Sequence, residues 1–212
     1  MLARLCPPLE GSRAERMRGR AGWGDAMLFW IVLIVVAAAI VYAIIIYNSL
    51  VQTGQMTNEA WSGIDVQLKR RAELIPNLVE SVKGYASHER ELLQRVTELR
   101  NAAQALPSAD VERRAEIEGA LSVAVKRIMA LAEAYPDLKA SENFLELQRE
   151  LSKLEDEIQM ARRYYNGSVR NLNTLVESFP SNIVAGAFGF GERKFFELSD
   201  ASEGAVPQVT MQ

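Results

Sequence analysis

One histidine, His88, and one cysteine, Cys6, are all that this 212-residue chain holds of the two side chains most used for metal ligation and nucleophilic catalysis. A carboxylate di-metal site in a helical bundle needs Glu-x-x-His pairs, and Tyr85 stands three residues before His88. His88-Glu89 does not extend to a zinc-protease helix either, because position 92 is Leu92. Cys6 precedes the long apolar run and has none before it, so it reads as an incidental thiol. The remainder then has no disulfide and no cysteine metal site. No Gly-rich phosphate loop is present, and Asn166-Gly-Ser168 matches a glycosylation sequon inside a helical pattern, a chance match. No catalytic residue, metal, cofactor or small-molecule substrate is therefore expected, and His88 is expected to serve a turn or a helix start. The formal net charge of -3 gives no basic face for nucleic acid.

Three other groups of residues invite a functional reading. Lys69-Arg70-Arg71 either meets anionic headgroups or pairs with acids such as Glu155 and Glu157; roughly 30 Å of helix from the apolar run favours pairing. Pro76 interrupts a helical pattern, removes the hydrogen bond to the Ala72 carbonyl and marks a candidate kink. Residues 181–197 form an apolar, Gly-rich segment that needs a cover. Ile183, Val184, Phe188, Phe190, Phe195 and Phe196, with Arg193 and Lys194, are its candidate contacts for a partner or the membrane interface, unless the segment folds back on its own domain.

The elements that position these residues start from residues 26–47, twenty-two residues without a charge, long enough to cross a bilayer as a helix. The run exceeds the apolar core of a signal peptide and its small-residue site, Ala37-Ala38-Ala39, lies inside it, so an uncleaved anchor held in membrane lipid is expected. Arg4, Arg13, Arg16, Arg18 and Arg20 flank it on the N-terminal side, and no Lys or Arg follows until Lys69. That bias places the N-terminus in the cytoplasm and the bulk of the chain outside it. Residues 1–25 read as a disordered Arg-rich flank; a start at Met17 or Met27 would thin or remove those arginines and leave the topology open.

Beyond the anchor the apolar spacing is helical throughout, so the fold is all-α. The clearest seam is Phe144, Leu147, Leu151, Leu154, Ile158, Ala161, Tyr165, Ser168, Leu172, Leu175 and Phe179, a coiled-coil spacing over five heptads on a helix starting near Pro136 and stopping before Pro180. Trp61, Ile64, Leu68, Ile75, Leu78, Val82 and Tyr85 form a second. Leu92, Val96, Leu99, Ala103 and Leu106 form a third. Ile117, Leu121, Ala124, Ile128 and Leu131 follow a break at Pro107-Ser108 where Asp110 and Glu112 favour a helix start. A turn near Gly84, with Ser87 as N-cap, gives helices of about 37, 19, 25 and 40 residues whose long members match when antiparallel, as an up-and-down four-helix bundle requires. The alternative, a continuous helix to Leu106 in a three-helix bundle, leaves about 30 Å of overhang uncovered. The bundle is assigned to residues 48–180, and residues 198–212 read as a disordered tail.

Tyr47-Asn48-Ser49-Leu50-Val51, the run from Trp61 to Arg71, Leu74-Ile-Pro-Asn-Leu-Val-Glu80, Val82-Lys-Gly-Tyr85 and His88-Glu89 resemble the LemA family of bacterial membrane proteins. Tyr135-Pro-Asp-Leu-Lys-Ala140, Ala161-Arg-Arg-Tyr-Tyr-Asn166 and Phe179-Pro-Ser-Asn182 do so too. The resemblance covers about residues 27 to 197. It implies a helical bundle behind one N-terminal membrane helix and no catalytic residues, and the 26-residue extension departs from the family's pattern.

The expectation for function is a non-enzymatic scaffold of the bacterial envelope, acting in protein–protein or self-association at the membrane. The partner is a second copy or another envelope protein. An accessory subunit of a signalling or transport system, using the Pro76 bend, is the alternative; an enzyme is the remotest reading.

Overall fold

The computed structural model describes residues 14–86, 88–107 and 110–197. Cys6, Ser87 and the tail 198–212, on which expectations rested, lie outside them. Every regular element among the described residues is helical: α1 (Ala14–Lys83), α2 (Arg90–Ala105), α3 (Val111–Leu131), α4 (Pro136–Lys139), α5 (Glu142–Glu177) and α6 (Ser181–Phe188), with a single 3-10 turn at Ala132–Ala134. The chain divides into two compact units between Ser49 and Leu50.

The first unit contains the long apolar helix of a single-pass membrane protein. Its most apolar window has a mean hydropathy of 3.1 and is 0 % buried, the opposite of a soluble core helix. One expectation is corrected here. Helix α1 begins at Ala14, so residues 14–25 are helical rather than disordered. Ala14, Glu15, Arg16 and Met17 are strong helix formers, and they extend a nucleus already formed by the apolar run.

In the second unit α1 ends at Lys83 and α2 begins at Arg90, so the continuous helix to Leu106 does not form. The connection between them is tied by Ala86 N–H to Val82 C=O at 2.9 Å, and His88 is exposed in it. Asp110 caps α3, its carboxylate accepting from Arg113 N–H at 3.1 Å. The helix expected from Pro136 is broken instead. Pro136 starts the one-turn α4, Ser141 is extended, and α5 begins at Glu142. Leu138 and Phe144 are both buried in one core, yet six residues apart on one helix they would point about 120° from each other; the break re-aims them.

Cross-helix contacts fix the directions. Arg70 meets Glu157 and Trp61 meets Tyr165, so α5 runs antiparallel to α1. Asp65 meets Arg114 and Arg71 meets Glu118, so α3 runs parallel to α1. The buried seams form two apolar cores. One joins Ile75, Leu78 and Val82 of α1 to Val96 of α2, Leu121 and Ile128 of α3 and Phe144 of α5. The other joins Ile64 and Leu68 of α1 to Leu154, Ile158, Tyr165 and Val169 of α5 and to Phe196. Phe179, the expected last seam residue, is 81 % exposed.

Helix α1 passes through Pro76 without leaving helical geometry. Proline supplies no N–H to the Ala72 carbonyl, and Arg100 of α2 takes its place, Nε donating to that oxygen at 3.0 Å.

Candidate functional site

Between the two apolar cores lies a layer of buried charge. Lys69, Arg70 and Arg71 follow one another on α1 and so diverge around the helix, each to a different acid. Lys69 reaches Asp65 one turn back at 2.6 Å, and Arg70 crosses to Glu157 at 3.2 Å. Arg71, 2 % exposed, points inward. Its Nη2 donates to the Glu118 carboxylate at 2.5 Å and the Glu118 carbonyl at 3.2 Å, and its Nη1 donates to Glu155 at 3.0 Å and to the Ser122 hydroxyl. The pairing expected with Glu155 and Glu157 is therefore how this basic run is used.

Helix α3 supplies the other half. Arg114, Glu118 and Ser122 recur every four residues, which stacks them on one face, and all three are buried. Arg114 pairs with Asp65. The layer thus ties α1, α3 and α5 together, with Nε of both Arg71 and Arg114 left without a hydrogen-bond partner. Shallow grooves of about 330 Å³ beside Arg114 and Glu118 and about 310 Å³ beside Arg71 and Glu155 reach it from two sides. The arginine-to-carboxylate bonds span three helices and fix their register. Among the described residues no group of three or more His, Cys, Asp or Glu could hold a metal ion.

Burial pushes the Asp65 carboxyl up, but hydrogen bonds from Lys69 and Arg114, and their charges, outweigh it and hold it below the ordinary carboxylate value. The folded state thus favours the ionised form. Its contribution to stability is complete above about 4, the unfolded value, and is lost as pH falls toward the lowered folded one. Acid unfolding of the full chain in mild detergent should show this loss, and Asp65→Asn should flatten it; an unchanged acid limb in the variant would contradict the assignment.

The second feature is the apolar segment after α5. Helix α6 ends in Gly189 at φ 75, a left-handed position that glycine adopts freely, with Phe190 N–H bonding back to Ala185 C=O at 2.9 Å. The chain then runs extended along α5 in the reverse direction. Asn166 and Asn173 each hold one residue of it: Asn173 accepts from Arg193 N–H and donates to its C=O, both at 2.9 Å, and Asn166 does the same for Phe196 at 2.9 and 3.1 Å. The match is metric, since seven helical residues rise about 10.5 Å and three extended residues about 10 Å. Tyr165 O–H donates to the Lys194 carbonyl at 2.9 Å. Burial raises the Tyr165 phenol above its ordinary value, against the charge of Arg193.

The candidate contact residues are accordingly divided. Phe196 is fully buried, its ring 5.5 Å from that of Trp61, so it covers its own domain rather than offering a contact. Lys194 pairs with Glu112 at 2.6 Å, and Arg193 is exposed. Ile183, Phe188 and Phe195 remain exposed, while Val184 and Phe190 are half-buried. Sequence reasoning missed Arg114, Glu118, Asn166 and Asn173; the four-residue repeat on α3 and the seven-residue Asn spacing were the available signals.

A third feature is a groove of about 610 Å³ between α1 and α2, floored by Val79 and Leu93 and edged by Glu80, Lys83, Arg90 and Glu98.

Comparison with known proteins places these features in a family. The model of the LemA family matches residues 60–211. Protein LemA of Metamycoplasma hominis is 28 % identical over 183 residues, covering 84 % of this chain and 81 % of its own. Magnetosome protein MamQ 2 of Paramagnetospirillum magneticum is 22 % identical over 223 residues, covering 93 % and 81 %. Magnetosome protein MamQ of Magnetospirillum gryphiswaldense is 22 % identical over 231 residues with the same coverage. The all-α unit built around residues 60–196, behind one long apolar helix, is that of a member of the LemA family.

Proposed function

We propose that this protein is a non-enzymatic scaffold: an up-and-down four-helix bundle anchored in the bacterial inner membrane through residues 26–47, with its bulk outside the cytoplasm, that acts by docking a protein partner. The observation that carries this reading is the groove between α1 and α2. It lies about 44 Å along α1 from Leu50. Its floor is apolar and its edge holds two acids and two bases, so its occupant is an amphipathic helix of a partner carrying both charge signs.

A photo-crosslinking residue at Gln94 or Thr97 of the full chain in intact cells tests it. The expected result is an adduct of one discrete mass, absent from the same probe at the exposed Met160, and reduced several-fold by Lys83→Glu or by Glu98→Lys with folding unchanged. Equal yield from Met160, or indifference to both charge reversals, would overturn it.

The reading as a signalling or transport accessory draws on the Arg100 bond to the Ala72 carbonyl. That bond links α2, one wall of the groove, to the turn of α1 that Pro76 weakens.

A further inference from the structure

We propose that the strand of residues 192–197 is exchangeable: the site that holds it on α5 accepts the same strand from a second copy of the chain, and two copies pair by trading strands. The site is built without the strand. Trp61 of α1, Glu112 of α3 and Tyr165, Asn166 and Asn173 of α5 stand on helices that the buried charge layer and the two apolar cores already hold together.

The strand is bound as a peptide ligand would be. Residues 192–195 are exposed, and Phe196 alone is inserted, at 0 % exposure, beside Trp61 and Tyr165. Arg193 and Phe196 are held by their backbone groups, through Asn173 and Asn166. Lys194 is held by its carbonyl, through Tyr165, and by its ammonium, through Glu112 at 2.6 Å. The site therefore reads an extended chain in which a basic residue stands two before a phenylalanine. Every copy of the protein carries that pattern at Lys194-Phe-Phe196. None of these contacts depends on which copy supplies the strand.

The strand is joined to α6 by Gly189-Phe190-Gly191. Gly189, at φ 75, turns the chain back along α5, and glycine leaves that conformation for an extended one without steric cost. No atom beyond the chain neighbours lies within 4 Å of where a Cβ of either glycine would stand, so packing does not lock the hinge. Opened, these three residues carry the strand about 10 Å outward. Exchange then keeps every contact between strand and site and changes only the hinge. In a single copy Phe196 covers its own core; in an exchanged pair it covers the other's. A strand on a short tether has an effective concentration on the order of millimolar at its own site, so exchange sets in where copies are crowded to that level, as confinement by an apolar membrane helix allows. This pairing uses no part of the groove between α1 and α2, so either reading can fail without the other.

Two tagged forms of the full chain, both Cys6→Ser, test it. One carries Glu116→Cys on α3 and the other Phe195→Cys on the strand, residues that line one shallow groove in the folded chain. They are reconstituted together in phosphatidylcholine vesicles at rising protein density and treated with a short bismaleimide. The expected result is a mixed dimer, increasing with density, at several-fold the yield obtained when Met160→Cys replaces Glu116→Cys. Phe196→Ala on the donating form removes it. Glu112→Lys on the accepting form lowers it and Lys194→Glu on the donating form restores it, because each strand is then matched only across the pair. Linkage only when both cysteines are on one chain would overturn the proposal by confining the strand to its own copy. A yield equal to that of the Met160→Cys control, or indifferent to Phe196→Ala and to the charge exchange, would overturn it as chance collision.

Discussion

Replacing Glu118 by Ala lowers the stability of the helical domain by about 3–5 kcal/mol, while replacing Arg71 and Glu118 together by Met and Leu leaves it unchanged or raises it. The asymmetry follows from burial. Arg71 and Glu118 are 2 % and 3 % exposed, so removing the carboxylate strands a guanidinium that cannot recover water. Glu155 and Ser122 remain beside it, but they contact Nη1, and Nη2 keeps only the Glu118 carbonyl. Removing both charges leaves only surface for apolar groups to fill, continuous with Ile75 and Leu121 on one side and Leu68 and Leu154 on the other. The pair's contribution is then to specificity: with it gone, only Asp65–Arg114 and the exposed Arg70–Glu157 pair remain as charged marks of the register of α1, α3 and α5. Urea unfolding of the full chain in mild detergent, followed by circular dichroism, gives the stabilities. A shallow transition in the double variant would show the lost uniqueness, and a single Glu118→Ala cost below about 1 kcal/mol, the value for an exposed pair, would contradict the buried assignment.

How much of this layer the sequence discloses depends on which side of it is read. Lys69-Arg70-Arg71 is a conspicuous run with nothing acidic in the next residue, and the long helix carries Glu155 and Glu157 at an antiparallel offset, so that half of the network is legible. Arg114, Glu118 and Ser122 are interleaved with Glu112, Arg113 and Glu116, which face water, and local sequence cannot separate an inward charge from an outward one. Only the facing helix decides. Apolar periodicity identifies Ile64, Leu68, Ile75, Leu78, Val82, Leu121, Ile128, Leu151, Leu154 and Ile158 as core, because burying them requires nothing but a partner surface. It fails at Ser141, where the chain leaves the helix so that Leu138 and Phe144 can share one core. That is a tertiary demand: Ser141 stands at the N-cap of α5, but its side chain makes no cap hydrogen bond there.

The segment after α5 shows the same division, and its energetics give the second large effect. Phe196→Ala should cost about 3–5 kcal/mol, the loss for a fully buried phenylalanine. Its ring closes the apolar core against Trp61 and Tyr165. Phe196 alone does not hold the strand, however. An asparagine amide offers one acceptor and two donors, so Asn166 and Asn173 each satisfy a backbone N–H and C=O, as the edge of a β-sheet would. Asn166→Ala should therefore release the Phe196 amide to rapid hydrogen exchange and cost about 1–3 kcal/mol, whereas Asn173→Ala, at an exposed site, should open the Arg193 amide at little cost in stability. Exchange measured on the full chain in detergent separates the two. If the Arg193 and Phe196 amides exchange slowly in both variants, the asparagines are bystanders and the aromatic cluster holds the strand. If each amide opens only with its own asparagine, the helix presents a two-rung ladder to an extended chain. The apolar residues before it are then fixed at the end of the bundle by polar side chains that hydrophobic periodicity passes over.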